Sequence, residues 1–187
     1  LMLKVVGENE SLHKQIQEMI PKLGNNNNSN NQVFNIQLFL NEKCADAMTI
    51  QNFAKQLLVT MDDLSKEKKD CITNVVLKSL QPLAITERPF HCTNLKNQEW
   101  YIKDEKDGWK ENSGDKVIQN AEYGIQKTWC AEFEKQYPNW METDTLKAQY
   151  IDIAGSTTRD LDEKVKIKLL RELGKQVKLT KKDIVSL

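Results

Sequence analysis

Few residues in this chain combine the type and the spacing that chemistry needs. His91 and Cys92 are adjacent, and Cys44, Cys71 and Cys130 would have to converge on them to complete the four ligands of a structural zinc site. Adjacent residues of a strand point to opposite faces. His91 and Cys92 therefore do not readily share one ion, and the same geometry separates them as base and nucleophile. No carboxylate stands at a readable spacing to orient the imidazole. The four cysteines are widely separated and form no Cys-x-x-Cys, so reduced, partly buried thiols are the expectation. Glu42, Asp46, Asp62 and Asp63 would serve a nuclease-like hydrolysis only if they gathered around a divalent cation. The chain has no Gly-rich phosphate loop, no Gly-x-Ser-x-Gly and no His-Glu-x-x-His. The expectation is a non-enzymatic chain with no cofactor and no metal.

Binding offers more. Tyr101, Lys103, Trp109 and Lys110 have the composition of a platform for single strands. Acidic residues from Glu99 to Glu111 surround them and repel phosphate, so hairpin and core packing is their expected role. The basic stretch is near the C-terminus, at Lys164, Lys166, Lys168, Arg171, Lys175 and Lys178. Taken together these positions spread around a helix, as on a solvated surface. Lys164, Lys168, Arg171, Lys175 and Lys178 are the candidate contacts for nucleic acid or an acidic partner. Net charge is zero but uneven: residues 99–145 hold 6 lysines against 11 acids, and residues 158–182 hold 9 basic residues against 4 acidic. Opposite charges of this kind can attract between subunits and make self-association sensitive to salt. Lysine outnumbers arginine 24 to 3 and asparagine occurs 16 times, a bias an A/T-rich coding sequence produces. With so little arginine the chain is poorly equipped to read guanine.

Self-association has its own pattern. Met2, Val5, Asn9, Leu12, Ile16, Met19 and Leu23 follow spacings of 3, 4, 3, 4, 3 and 4, an a/d seam with Asn9 at a. Ile at a, Leu at d and one buried Asn favour a parallel two-stranded coil whose register the Asn sets. The oligomerisation residues are therefore Val5, Asn9, Leu12, Ile16, Met19 and Leu23, with itself as the partner in a parallel dimer or higher homo-oligomer. A single amphipathic helix lying on its own domain is the competing reading. The chain opens on Leu1 rather than methionine, which is expected of a fragment whose natural start lies upstream. Pro21 and Gly24 end the helix, and residues 25–32, mostly asparagine, act as a polar spacer.

The domains are expected at 1–24 (coiled-coil helix), 25–32 (linker) and 33–187 (one α+β domain). An apolar fraction of 39% with 29% charged residues suits a helix-rich unit with a modest core. No signal peptide and no run of 18 apolar residues is present, so no membrane partner is expected. Phe34, Ile36, Leu38 and Leu40 alternate as a strand. Ile50, Phe53, Ala54, Leu57 and Leu58 form a helical stripe capped by Thr49. Met61–Lys69 is charged and poorly periodic, and Cys71, Ile72, Val75, Val76 and Leu80 make a second helix stopped before Pro82. Pro89 at a strand edge, Phe90–Thr93, Glu99–Lys103, the Asp107-Gly108 turn and Trp109 predict a small antiparallel sheet. Helices follow over Asp115–Tyr137, Thr145–Ala154 and, after a break at Gly155-Ser156, Thr158–Val177 with a cap from Thr157 and Asp160. The tail from Leu179 is expected to fray. The fold class is thus α+β, mainly helical with a small antiparallel sheet.

The segments FNIQLFLNEKCADAMTIQNF, RPFHCTNLKNQEWYIKDEKDGW and QYIDIAGSTTRDLDEKVKIKLLRELGKQV resemble the C-terminal region of proteins common in giant DNA viruses of protists, mimivirus-like. The resemblance spans nearly the whole chain in the same order. Those proteins carry an N-terminal zinc finger, a coiled coil, an Asn-rich spacer and this domain. The finger has no counterpart in this sequence, so the resemblance places nucleic-acid contact mainly upstream of Leu1. It implies a viral assembly module in the host cytoplasm (the viral factory) or the virion, meeting nucleic acid or another viral protein. A structural virion component, in a minor capsid or internal layer, and a nuclease accessory domain are the alternatives.

Overall fold

Alternation and turn chemistry build a three-stranded antiparallel sheet, β1 (Phe90–Asn94), β2 (Glu99–Asp104) and β3 (Gly108–Asn112), in the order β1-β2-β3. The computed structural model describes residues 36–180 and 183–184. The heptad seam, with Val5, Asn9, Leu12, Ile16, Met19 and Leu23, and the linker 25–32 lie outside the described residues. Gly108 takes φ +66°, the left-handed conformation that the Asp107-Gly108 turn demands. Phe90 pairs with Ile102 and Cys92 with Trp100, so these four share one face; His91 pairs with Tyr101 and Lys103 with Trp109 on the other. Both faces are covered: Trp100, Tyr101 and Ile102 are all buried.

Helices close the first face. Thr49 caps α2 (Ile50–Lys55) by accepting from the Asn52 N–H at 3.2 Å, as its position in the sequence predicts. α2 sets Phe53 edge-on against Phe90, ring centres 5.7 Å apart. Helix α4 (Lys68–Leu80) buries Cys71, Ile72, Val75, Val76 and Leu80, the expected stripe. The long helix α5 (Asp115–Gln136) buries Ile118, Ala121, Ile125, Trp129 and Phe133. Helices α6 (Asp144–Thr158) and α7 (Glu163–Gln176) complete the unit. The mainly helical α+β class stands.

Several local expectations are corrected. Residues 36–42 are helical and form α1, not a strand. Phe39 and Leu40 are adjacent and both buried while Asn41 and Glu42 are exposed, a pattern of helical burial that a strand with one covered face does not give. Leu57 is buried but Leu58 is 54% exposed, because α2 ends at Lys55 and the stripe stops with it. The charged stretch after it forms one helical turn, α3 (Met61–Leu64), held by a capping box between Thr60 and Asp63. No break occurs at Gly155-Ser156. α6 continues to Thr158, with the Thr157 and Thr158 hydroxyls donating back to the Ala154 carbonyl. Asp162, rather than Thr157, caps α7 by accepting from the Lys164 N–H at 2.8 Å. The tail does not fray at once: Val177 and Leu179 are buried, and Lys178 forms a parallel bridge with Cys92.

Candidate nucleic-acid interface

The chemically suggestive residues are held by packing. His91 is 1% exposed, its ring stacked on Trp109 at 5.6 Å and edge-on to Phe39 at 6.5 Å. Cys92 lies on the opposite face, against Gly174 of α7. The expected separation of the pair therefore holds. Burial pushes the Cys44, Cys71 and Cys92 thiols up to about 11, which keeps them protonated at neutral pH and poor as nucleophiles or ligands. Burial also holds the His91 imidazole down at about 3, with Arg88 adding to the effect and Asp183 opposing it.

Asp62 and Asp63 have separate partners. Asp62 pairs with Lys66 at 2.7 Å. Asp63 receives the Thr60 hydroxyl at 2.6 Å and the Lys78 ammonium at 2.5 Å. Burial opposes its ionisation, yet these donors together hold the Asp63 carboxyl below its ordinary range. Among the described residues no three His, Cys, Asp or Glu side chains gather as a metal would require. The aromatic members of the hairpin group are interior and its two lysines part: Tyr101 and Trp109 are buried, Trp109 donates its indole N–H to the Cys44 carbonyl at 3.2 Å, Lys103 donates to the Ala47 carbonyl at 2.6 Å, and Lys110 is exposed.

Helix α7 is different. It buries Leu169, Leu170, Leu173 and Gly174. A Cβ at Gly174 would lie 2.5 Å from Leu95 Cδ2 and 3.3 Å from Cys92 Sγ, so the helix closes directly on the sheet there and a larger residue would have to push the half-buried Leu95 aside. That contact fixes which face points outward. Lys164, Lys168, Arg171 and Lys175 are exposed, spaced 4, 3 and 4. At about 100° per residue they fall within an arc of about 60°, opposite the leucines. The six basic positions are thus not evenly spread: four share one face, Lys178 follows them in the bridged segment, and Lys166 lies apart, paired with Glu163 at 2.6 Å. The other α7 acid beyond the first turn, Glu172, is drawn to Lys69 on α4 at 2.9 Å. Among the described residues, the four side chains of the arc have no ion-pair partner. The sequence reading already names these four, with Lys178 and without Lys166, as candidate contacts; what it misses is that their 4-3-4 spacing gathers them on one face rather than around the helix.

The ends of α7 suit this layout. Glu163 lies in the first turn and Lys175 in the last, each complementing the helix dipole. From Lys164 to Lys175 the stripe runs about 16 Å at 1.5 Å per residue. That is about five steps of one nucleic-acid strand at 3.4 Å. Lysine is a point charge suited to phosphate rather than a bidentate reader of bases. The only large apolar side chain exposed on α7 is Ile167, 37% exposed, and the helix carries no aromatic ring for bases to stack on.

The class this defines is a mainly helical α+β unit that presents one cationic helical face. Compared with protein-family models, curated proteins and solved structures, the chain matches none. No helix among the described residues is long and apolar enough to cross a membrane.

Proposed function

We propose that this chain is a non-enzymatic assembly module that self-associates through its N-terminal heptad seam and lays the basic face of α7 along the phosphate backbone of a polyanion, duplex nucleic acid first. One observation carries the reading: four cations in a row, without an ion-pair partner among the described residues, on a helix whose other face is fixed to the sheet. Contact of this kind is independent of sequence, because phosphates position a protein without specifying bases. The resemblance to giant-virus proteins supplies the setting, with an upstream finger as a further nucleic-acid contact in the longer protein.

The test is a salt titration. On a duplex short enough to engage one stripe, log K should fall with log salt at a slope of about −3.6, for four phosphates neutralised. Lys168→Ala together with Lys175→Ala should reduce that slope by about 2. Binding that ignores salt, or that both substitutions leave intact, sinks the reading; capture of an acidic protein without any duplex binding would redirect the same face to a protein partner.

A further inference from the structure

The second face of the sheet is covered by residues 37–47, most of α1 and the loop that follows it. Phe39 stands edge-on to His91, the Cys44 carbonyl accepts the Trp109 indole N–H at 3.2 Å, and the Ala45 and Ala47 carbonyls accept from the Lys103 ammonium. Phe39, Leu40, Cys44, Ala47, Tyr101 and Trp109 are all buried, yet none belongs to the main hydrophobic cluster, which holds Phe90, Trp100 and Ile102 on the first face. Cover and core are therefore separate pieces of packing. They also differ in what holds them. Helices α4, α5 and α7 run 13, 22 and 14 residues. α1 ends at residue 42 after two turns. A helix well under the ~12–15 residues that an isolated one needs keeps its shape only while it is packed. Pieces packed separately can open separately, each with its own free energy.

His91 lies at the boundary between the two. Its ring is 1% exposed between Phe39 of the cover and Trp109 of β3, and Nε2 is buried without a hydrogen-bond partner among the described residues. A proton placed there finds no acceptor while the cover is closed. Charged and titratable groups stand on every element around the ring. Arg88, ahead of β1, adds to the burial that keeps the imidazole neutral, and Asp183 in the C-terminal segment opposes both. β2 brings Tyr101 and Lys103, and β3 brings Glu111 across from Tyr101. The cover brings the buried Cys44 thiol and the exposed Glu42, Lys43 and Asp46.

We propose that residues 37–47 form an acid-released lid: protonation of His91 opens it from the second face of the sheet while the first-face core stays folded. Opening uncovers together the rings of Tyr101 and Trp109 and the Lys103 ammonium.

Linkage sets the size of the response. The closed form keeps the imidazole neutral down to about pH 3, whereas in the open form it titrates near its ordinary 6.5. The closed state is therefore favoured above 6.5 and loses ground as pH falls below it. From pH 7 to pH 5 the open fraction should rise about 25-fold.

Cys44 reports the lid, and Cys71, also buried but on α4, reports the core. The test labels the full chain with dithiodipyridine, reads each cysteine by mass, and normalises every rate to the urea-unfolded chain at the same pH. Cys44 labelling should rise about 25-fold from pH 7 to pH 5 while Cys71 labelling barely changes. His91→Phe should make the Cys44 rate flat over that range. His13→Gln, at the other histidine, should leave the rise intact. Lys103→Met should speed Cys44 labelling about tenfold at pH 7 and keep the response to acid. Cys44 and Cys71 rising in step would make the acid response one of the whole fold and overturn the lid. A Cys44 rate that acid leaves unchanged, or an acid rise that survives His91→Phe, overturns it as well. The comparison of Cys44 with Cys71 is made within the parent chain, so it decides even if His91→Phe were to misfold.

Discussion

His91 lies between the rings of Trp109 and Phe39, with Nε2 buried and without a hydrogen-bond partner among the described residues. An unpaired buried nitrogen is a cost to the fold, about 1–3 kcal/mol. Its depressed pKa also has a sign. The folded form holds the ring neutral until about pH 3, whereas the unfolded chain takes up the proton near 6.5. Between those values the unfolded state binds more protons, so stability rises with pH there. The contribution is complete above 6.5 and is lost as pH falls towards 3, at up to about 1.4 kcal/mol per pH unit. The Asp63, Asp104 and Asp183 carboxyls are also shifted, but downward from 3.8, so they act below that value and leave the window from pH 6.5 to 5 to the imidazole. His91→Phe should keep the stack on Trp109, raise stability at pH 7 by about 1 kcal/mol and flatten the loss between pH 7 and 5. Urea melts of both chains at those two pH values check this, and parallel acid losses would disprove it.

At the scale of elements, two helical glycines predict opposite outcomes. A Cβ at Gly124 of α5 would fall 2.4 Å from the Ala54 carbonyl oxygen and 2.7 Å from Leu57 Cδ1, so α2 and α5 would have to separate. Gly124→Ala should cost about 1–3 kcal/mol, overriding the gain of roughly 1 kcal/mol in helix propensity. Gly155→Ala, with open space around it, should instead raise the thermal midpoint. If both variants melted alike, close helix contact would not explain Gly124. The same residues show why legibility was uneven. Long amphipathic helices and the hairpin could be read from period and turn chemistry, because Phe133, Ile125 and Trp100 have the same burial that their spacing implies. Helix α1 could not: over a few apolar residues the periods 2 and 3.6 fit the same letters, and only the joint burial of Phe39 and Leu40 separates them. Gly155 looked like a stop because glycine usually is one, whereas the packing of Tyr150 and Ile153 carries the helix past it. The separation of His91 from Cys92 followed from strand geometry alone. The residues of the α7 arc were legible as candidates but its shape was not: all six basic positions, Lys166 included, read as spread around the helix, whereas the 4-3-4 spacing of Lys164, Lys168, Arg171 and Lys175 puts them on one face.

For the whole molecule, what decides behaviour is how many α7 faces one assembly presents. The proposed seam carries a single Asn at an a position, which favours two strands over three or four at some cost in stability. Asn9→Leu should remove that restriction, so that light scattering finds a dimer in the parent chain and a higher oligomer or a mixture in the variant. Two faces on one dimer should then act together on a long duplex. The second contact forms at an effective concentration set by the first, and avidity can exceed single-site affinity by about 10²–10⁴. Breaking the seam with Leu12→Asp and Ile16→Asp should therefore weaken binding to a long duplex by at least about a hundredfold. It should also halve the salt slope, because half as many phosphates are neutralised per bound species. The slope separates the two causes of weaker binding. A seam-broken chain that binds more weakly with an unchanged slope has lost affinity at the α7 face itself, and the bivalent reading is then wrong. A halved slope with little change in binding to a short duplex is the signature of one face working alone.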